Sequence, residues 1–575
     1  MRDRFVDERL PPPDQLPEFR FDLPDLRYPE RLNAALELLN GGTPDALALV
    51  NAHGRWSYAD LDDFSGRIAR LLVEQEGLVP GNRVLLRGPN AYTMFAAWLG
   101  VLKAGGVVVA TMPLLRPGEI ATVIDRAEVS HAIVDSRFIG DFRAAMEQTR
   151  FVKHLVKYDG DHGKGELETR CAALKPLPAA DTGRDDPALI AFTSGTTGIP
   201  KGCVQFHRDL LAPCDSFAKH LIDPKPGDVF MTSAPIAFTF GLGATLLFPL
   251  RFGAAAATLE QGGPPAMLES IARFGVTHLA TAPTAYKAML STELGLSSTN
   301  HVRPERSAKR AVEGRVPGEA PFDYGSSNLR SGRTESALSA ALKTLRYCLS
   351  AGEHLPEATW HSWKDRTGIA ITDGIGATEM MHIFISAAGD EIRPGATGKA
   401  VPGYEATVLD PAGKPMAEGE GRLAVKGPTG CRYLDDPRQV DYVHDGWNVT
   451  GDTYRRDTDG YFWYLARSDD MIVSSGYNIG APEVENALLS HPAVAECAVI
   501  GVPCEERGQK VKAFVVLAVD AEASDALAAE LQAHAKAQIA PYKYPREIEF
   551  VDALPKTATG KLRRSELRRQ SGGRG

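Results

Sequence analysis

The stretch TSGTTGIPKG, residues 193–202, follows the apolar run ALIAF and decides the interpretation of this chain. Its three glycines let backbone N–H groups face an anion without an obstructing Cβ, and its four hydroxyls can donate hydrogen bonds to anionic oxygens. Lys201 adds a positive charge on a flexible stem. A strand followed by such a loop predicts a polyphosphate site with ATP as its ligand, formed by Thr193, Ser194, Gly195, Thr196, Thr197, Gly198 and Lys201.

Two other interpretations of this stretch compete with a polyphosphate site. A plain surface turn uses the same residue types, but it needs fewer of them and has no use for the lysine. A P-loop NTPase requires GxxxxGK followed by Ser or Thr. Here only two residues separate Gly198 from Lys201, and Gly202 follows the lysine, so the spacing favours a different ATP-binding fold.

Outward from this loop, the sequence alternates amphipathic helices with apolar strands. The alternation covers residues 58–75, 82–88, 92–105 and 106–111, and it returns over 228–235, 266–275, 276–283 and 345–352. Several of these strands end in small residues or proline, which leave room for a ligand. The pattern predicts an α/β fold in which ligands bind beyond the carboxyl ends of the strands.

The sequence changes character after about residue 451. A helix is expected to begin near Pro482 and to end at His491. Apolar strands, a helix and a last strand are then expected over residues 495–503, 511–519, 527–539 and 546–554. We therefore expect a large N-terminal α/β domain of several subdomains, residues 1–468, and a small mobile C-terminal α+β domain, residues 469–575.

Residues 297–341 do not fit either domain. They are poor in apolar residues, and residues 301–333 carry seven Lys/Arg against four Asp/Glu. Such a composition cannot bury a core, so it predicts a disordered insertion or an error in the gene model. No function is assigned to it.

The composition of the chain argues against several classes of protein. The 575 residues carry a net charge of −9, with no basic excess to favour nucleic acid or an anionic membrane. Seven scattered cysteines without CxxC spacing argue against a disulfide framework and a zinc site. The N-terminal residues lack the apolar core of a signal peptide, and no apolar run reaches the roughly 20 residues of a membrane helix. We expect a cytoplasmic protein.

Five further clusters accompany the loop: SAGEHLP, DGIGATEMMHIF, TGD, ARSDDMIVSSGYNIGAPEVE and PKTATGKLRR, at residues 350–356, 373–384, 450–452, 466–485 and 555–564. In this order and spacing, the chain resembles the acyl-adenylate-forming superfamily, which includes acyl-CoA synthetases, adenylation domains and luciferases. The resemblance runs from about residue 58 to residue 561, apart from the insertion. It implies a reaction in which a carboxylate attacks the α-phosphate of ATP and releases pyrophosphate.

That reaction brings two anions together, so it needs Mg²⁺ and fixed positive donors. Glu379 is suited to hold Mg²⁺, and Thr378 could donate to the α-phosphate. Taken alone, the same two residues could simply favour or cap a helix N-terminus. The surrounding cluster favours the catalytic interpretation, with Lys201 as a further cation.

The resemblance also implies roles for nucleotide-binding residues. Asp452 matches the family's ribose acceptor and Arg467 its second ribose contact, although an exposed ion pair would explain the arginine equally well. An adenine slot closed by a stacking aromatic ring is implied for Gly352, Glu353, Asp373, Gly374, Ile375 and Tyr464.

For the C-terminal residues, the resemblance implies a swinging domain. Lys561 would enter the site during adenylation and withdraw when the small domain rotates about the hinge residue Asp469. The thiol of coenzyme A would then attack the acyl-adenylate along a path beside Ser475, Gly476 and Tyr477. No cysteine matches a nucleophile position, so we expect no acyl-enzyme intermediate.

Two stretches indicate which carboxylic acid is the substrate. DGIGATEMMHIF and APIAFTFGLG, the latter at residues 234–243, look most like the corresponding stretches of the aryl-CoA ligases for benzoate and 2-aminobenzoate. The resemblance places around the aromatic ring Thr239, Phe240, Phe248, Gly376, His382 and Ile383. Each of these taken singly could equally be ordinary core. The Thr239 hydroxyl and the stretch FHRDLLA, residues 206–212, favour 2-aminobenzoate. Benzoate, 2-hydroxybenzoate, other substituted benzoates and a different small carboxylic acid stay open as substrates.

Two alternatives remain open at this point. An adenylating enzyme could load a carrier protein instead of coenzyme A, although no carrier segment follows Lys561 in the sequence. A non-catalytic nucleotide-binding protein would have lost some of Lys201, Glu379, Asp452 and Lys561, and all four are present. The expected partners are therefore a small aromatic acid, ATP with Mg²⁺, and coenzyme A, with neither nucleic acid nor membrane.

Overall fold

The computed structural model describes residues 2–161, 163–193, 200–260, 263–293, 342–468, 470–474, 477–504, 507–540, 542–556 and 562–571. Some of the predicted features lie outside the described residues: the loop residues 194–198, the insertion 297–341, the hinge residue Asp469, and Ser475, Gly476 and Lys561. The predicted α/β class with a large N-terminal and a small C-terminal domain is confirmed. The boundary between residues 468 and 469 stays a prediction.

The polyphosphate stretch is attached to a sheet that has six strands in the described part of the chain. Their order is His154–Tyr158, His131–Asp135, Arg83–Arg87, Val107–Thr111, Pro187–Thr193 and Lys201–Phe206. The strand Val107–Thr111 is buried at every position, as expected for a parallel strand covered on both faces. The last two strands are antiparallel and pair Thr193 with Lys201.

A second sheet, with nine strands among the described residues, carries most of the other clusters. Its order is Lys399–Ala400, Ile383–Ser386, Ile371–Gly376, Tyr347–Ala351, His278–Thr281, Val229–Thr232, Ala255–Ala257, Leu47–Asn51 and Gly54–Ser57. The central strands are parallel, so their carboxyl ends share one edge. Helices cover the two sheets, as the alternation predicts. In the large domain they are Ala34–Leu39, Tyr58–Arg70, Tyr92–Lys103, Pro117–Ala127, Ile139–Met146, Glu166–Ala172, His207–Pro213, Thr239–Leu242, Phe248–Arg251, Pro264–Phe274, Pro283–Glu293, Glu357–Thr367 and Gln439–Tyr442.

Local sequence explains where these helices begin. Ser57 caps the helix Tyr58–Arg70: its side chain accepts a hydrogen bond from the Asp60 amide, and the Asp60 side chain accepts one from the Ser57 amide. This reciprocal pair satisfies two N–H groups that the helix itself cannot use. The following helix, Tyr92–Lys103, is buried on nearly all sides and packs in the largest core cluster.

A third, mostly antiparallel sheet completes the large domain. It consists of Pro415–Met416, Glu405–Leu409, Gly419–Lys426, Trp447–Arg456 and Val443–His444, with Phe462–Arg467 paired to Trp447–Arg456. The small domain builds a separate core on the strands Tyr477–Ile479, Ile472–Ser474, Gly508–Leu517, Val494–Cys504 and Glu547–Phe550. Its helices are Ala481–Leu489, Asp525–Gln538 and Arg564–Gln570. The elements expected after residue 481 are confirmed, including a proline in the first helical turn. In the part of the chain that is described, no helix combines the length and apolar character needed to span a bilayer.

Candidate active site

Lys201 stands at the centre of a cluster of polar side chains beside the predicted polyphosphate loop. It begins its strand opposite Thr193. Its Nζ lies 2.5 Å from the hydroxyl of Tyr433 and 3.8 Å from Oε1 of Glu379. The ammonium group is also 4.4 Å from the centre of the Tyr433 ring. The predicted polyphosphate lysine and the predicted metal ligand therefore meet at a tyrosine that the sequence analysis did not select.

Hydrogen bonds from the six-stranded sheet hold the backbone around Glu379 in place. The side-chain amide of Gln205, in the strand Lys201–Phe206, donates to the carbonyls of Thr378 and Glu379 at 3.0 and 3.3 Å. Met381 adopts a φ of 66°, which is uncommon for a residue with a side chain. This local reversal lets Glu379 contact the polar cluster, while His382 packs among aromatic rings on the other side.

The residues present fit a bound Mg²⁺. Tyr433 donates a hydrogen bond to Oε1 of Glu379, whereas Oε2 receives none from any residue that the structure describes. Mg²⁺ is usually held by one or two carboxylates together with substrate phosphates, so it needs no dedicated protein cage. The described residues contain no cluster of three or more His, Cys, Asp or Glu side chains that could hold a metal ion. Glu379 would hold the ion, whose charge would offset the repulsion between phosphate and carboxylate.

The predicted adenine residues lie at the carboxyl ends of two neighbouring parallel strands. Ser350 and Ala351 pair with Asp373 and Gly374 in register. Gly352 follows with a φ of 90°, a conformation that favours glycine. Loss of solvation raises the pKa of Asp373 to about 7. Its Oδ1 is sealed from solvent and, within the described chain, has no hydrogen-bond partner. Glu353 follows the first of these strands, Ile375 lies within the second, and both are half-buried.

The predicted ribose residues face each other across two antiparallel strands. Asp452 pairs with Arg467 in register, and Nη1 of the arginine lies 3.3 Å from Oδ1 of the aspartate. Tyr464, on the same strand as Arg467, stacks on His354 with ring centres 5.6 Å apart. Burial lowers the pKa of His354 to about 4, so this histidine is a neutral aromatic partner near pH 7. The three predicted residues are brought together, but their roles stay predictions.

Five of the six predicted aryl residues lie together. His382 is buried among three phenylalanine rings, with centres 4.6 Å from Phe248, 5.7 Å from Phe217 and 5.8 Å from Phe240. A Cβ on Gly376 would lie 2.7 Å from the His382 carbonyl oxygen, and Ile383 pairs with this glycine across the sheet. Thr239 is half-buried as the first residue of the helix Thr239–Leu242. Both nitrogens of the His382 ring lack hydrogen-bond partners among the described residues, and burial lowers its pKa to about 3.

Comparisons with known proteins agree with this geometry. The model of the AMP-binding enzyme family matches residues 37–432, and that of the AMP-binding enzyme C-terminal domain matches residues 483–561. The chain belongs to the AMP-binding enzyme family. It is 34% identical to the benzoate–CoA ligase of Thauera aromatica over 555 residues, which cover 95% of this chain and 97% of that protein.

Solved structures of this family extend the likeness to the whole fold. A complex of the anthranilate CoA ligase AuaEII with anthranoyl-AMP has a TM-score of 0.83 at 30% identity, covering 96% of this chain and 99% of that one. A benzoate CoA ligase from Burkholderia xenovorans LB400 has a TM-score of 0.78 at 31% identity, covering 93% and 100%. The AMP-binding protein described here is therefore similar to aryl-CoA ligases over nearly its entire length.

The small domain of this AMP-binding enzyme contacts the large one near the predicted adenine slot. Asn486 lies 3.2 Å from Nε2 of His354, and Lys287 donates to the carbonyl of Ala495. Arg564, three residues after Lys561, ion-pairs with Glu485 at 2.7 Å. Its positive charge also lies close enough to Tyr464 and His354 to interact electrostatically with both side chains. Tyr477 is exposed and stacks on Tyr542 with ring centres 4.4 Å apart, so the predicted thiol-path residue does not join the polar cluster.

Sequence reasoning missed Tyr433, Gln205 and His354. Gln205 gives the clearest signal, because it is a polar residue at a buried position of an apolar strand. His354 lies inside the cluster SAGEHLP, yet nothing in its spacing predicts stacking on Tyr464. Tyr433 lies in CRYLDD, outside all the selected clusters, and only the fold brings it to Lys201.

Proposed function

We propose that this AMP-forming CoA ligase acts on an aromatic carboxylic acid, with 2-aminobenzoate as the first candidate and benzoate as the second. The proposal rests mainly on the aromatic cluster around His382, which follows Glu379 closely in the sequence. An aryl ring needs a flat apolar slot that opens toward the phosphate site. The half-buried ring of Phe240 stacks on His382 and gives such a slot one wall.

The electrostatics of this cluster favour a ring without a second charge. Because burial lowers the pKa of His382 to about 3, the imidazole is neutral near pH 7 and cannot pair as a cation with an additional carboxylate. Neither ring nitrogen has a hydrogen-bond partner among the residues that the structure describes, so one can donate and the other can accept a hydrogen bond. An amino or hydroxyl substituent suits them better than an anionic one.

In the first half-reaction, the acid carboxylate attacks the α-phosphate of ATP, and pyrophosphate leaves. Lys201 and the loop of residues 193–198 would bind the departing phosphates, and Thr378 would donate to the α-phosphate. Asp452 and Arg467 would hold the ribose, while Tyr464 stacks on the adenine. Lys561 would place its positive charge between the two reacting anions.

In the second half-reaction, the thiol of coenzyme A attacks the acyl carbon and AMP leaves. The stretch of Ser475, Gly476 and Tyr477 would reach the site after rotation about Asp469. The exposed position of Tyr477, which stacks on Tyr542, supports this, because a buried side chain would first have to be released. The cytoplasmic location and the use of Mg²⁺ belong to the same proposal.

A panel of aryl acids tests the identity of the substrate. We expect 2-aminobenzoate and benzoate to give the highest kcat/KM for formation of the acyl-CoA product, and 1,2-dicarboxylates to give almost none. Removing the hydroxyl in Thr239→Ala should shift the preference from 2-aminobenzoate toward benzoate by up to about tenfold, the worth of one hydrogen bond. Thr239→Ser, which retains the hydroxyl, is the matched control. An unchanged ratio in Thr239→Ala would remove Thr239 from the specificity argument.

A further inference from the structure

We propose that Tyr433 is a positioning residue for adenylation, because its hydroxyl joins the ammonium of Lys201 to the carboxylate of Glu379 and sets their separation. This inference rests on the proposed function only in taking Lys201 as the phosphate ligand and Glu379 as the metal ligand. It does not depend on which acid is the substrate.

Tyr433 is held rigidly by the backbone around it. Its amide donates to Oε1 of Gln439 at 2.9 Å, and Cys203 pairs with it in an antiparallel bridge. The amide of the next residue, Leu434, donates to the carbonyl of Gly202 at 2.8 Å. The tyrosine is 1% exposed, so its ring is packed on all sides. The segment that carries Tyr433 is thus attached directly to the strand that begins with Lys201.

The hydroxyl group of Tyr433 makes two different hydrogen bonds. It donates its single proton to Oε1 of Glu379, so the contact with Lys201 at 2.5 Å must be one in which the ammonium donates. The phenol oxygen therefore stands between the two charges and holds them 3.8 Å apart. Direct Lys–carboxylate hydrogen bonds are about 2.7–2.9 Å long and would draw the lysine onto the metal ligand.

The arrangement leaves both charged groups ready for ligands. An ammonium group has three N–H donors, and within the described residues Lys201 uses one of them, on Tyr433. Oε2 of Glu379 likewise receives no hydrogen bond from the described chain. Two lysine donors can thus face phosphate oxygens while one carboxylate oxygen faces Mg²⁺. Tyr433 keeps the ammonium and the carboxylate apart, so that each could bind its own ligand, Lys201 the phosphates and Glu379 the metal ion.

Tyr442 shows that packing in this cluster does not require a hydroxyl group. Its ring meets that of Tyr433 edge-on at 5.9 Å, and it is also buried. Its hydroxyl oxygen, however, has no hydrogen-bond partner in the described structure. Replacing each tyrosine by phenylalanine removes one buried oxygen from the same cluster. Only at Tyr433 does the change remove contacts to Lys201 and Glu379.

The test compares Tyr433→Phe with Tyr442→Phe by two readouts. The first is the affinity of Mn²⁺, used as a paramagnetic stand-in for Mg²⁺, for the complex of the enzyme with a non-hydrolysable ATP analogue. The second is the separation of kcat from KM for ATP in pyrophosphate release. For Tyr433→Phe we expect about tenfold weaker Mn²⁺ binding and a KM for ATP raised about tenfold, the worth of a hydrogen bond to a charged group. Formation of thioester from synthetic acyl-adenylate should change less than about twofold, which is within one weak contact.

Tyr442→Phe should match the wild type in every one of these measurements. Equal losses in the two variants, or an unchanged Mn²⁺ affinity in Tyr433→Phe, would overturn the proposal. A Tyr433→Phe protein that does not fold would overturn it as well, because the hydroxyl would then serve the core. Mn²⁺ binding to the nucleotide complex needs no acid, so a wrong substrate assignment would leave this readout interpretable.

Discussion

Single residues in the site owe their properties to burial as much as to their chemical type. Asp373 and His382 lie nine positions apart in one cluster, and loss of solvation favours the neutral form of both, in one case by raising the pKa to about 7 and in the other by lowering it to about 3. The sequence places both residues in the site through a family resemblance. It does not predict their ionisation, because ionisation depends on neighbours that only the fold supplies.

Asp373 gives a prediction on stability against pH. The folded protein holds its proton up to about pH 7, whereas the ordinary value is 3.8, so the free energy of unfolding falls as the pH rises through this window. Asp373→Asn cannot ionise. Without nucleotide, its melting temperature should equal that of the wild type near pH 4 and exceed it by about 2–4 °C at pH 8.

Asp365→Asn is the matched control, because Asp365 lies on the exposed side of the helix Glu357–Thr367. It should show no such trend. A melting temperature of Asp373→Asn that differs from that of the wild type by the same amount at pH 5 and pH 8 would show that the wild-type carboxyl is already ionised at pH 5.

At the scale of elements, the sequence predicts well where helices and strands lie along the chain. It predicts poorly which of these elements contact one another in the fold. Apolar periodicity locates the helix Tyr58–Arg70 and the strand Val107–Thr111. The contact of the strand Lys201–Phe206 with the Thr378–Glu379 backbone joins residues more than 170 positions apart, and no local pattern encodes it. Tyr433 was missed for the same reason.

Gln205 gives the prediction for this contact between elements. Gln205→Met keeps the side-chain length but leaves the carbonyls of Thr378 and Glu379 without their donor, at a cost of about 1–3 kcal/mol. If the loss of the donor displaces Thr378 and Glu379 from the positions that adenylation requires, pyrophosphate release should slow by about tenfold to a hundredfold. Thioester formation from synthetic acyl-adenylate is the internal control and should stay within about twofold of the wild type. Equal slowing of both half-reactions would show that Gln205 supports the fold rather than the adenylation site.

For the whole molecule, the prediction concerns which of the two half-reactions depends on Lys561, near the end of the small domain. Lys561→Ala should lower adenylation by at least about 1000-fold, because a cation facing the transferring phosphoryl group is lost. It should leave thioester formation from synthetic acyl-adenylate largely intact. Rates of the two half-reactions, measured separately on the same preparation, check this prediction.

Lys556→Ala is the matched control for the tail, because Lys556 ion-pairs with Glu496 of the small domain at 2.7 Å and is exposed. It should adenylate at the wild-type rate, since exposed pairs contribute at most about 1 kcal/mol. If the two variants lose adenylation equally, the tail acts through its overall charge. If Lys561→Ala loses both half-reactions equally, the domain-rotation assignment is wrong.

In the proposed reaction, the protein joins an aromatic acid to AMP and then transfers the acyl group to coenzyme A. The most direct measurement is pyrophosphate release by the purified protein with ATP, Mg²⁺ and a panel of aromatic acids, with mass detection of the product when coenzyme A is added. We expect acid-dependent pyrophosphate release, and an acyl-CoA product with 2-aminobenzoate or benzoate. Pyrophosphate release with none of the aromatic acids, or with aliphatic acids alone, would contradict it.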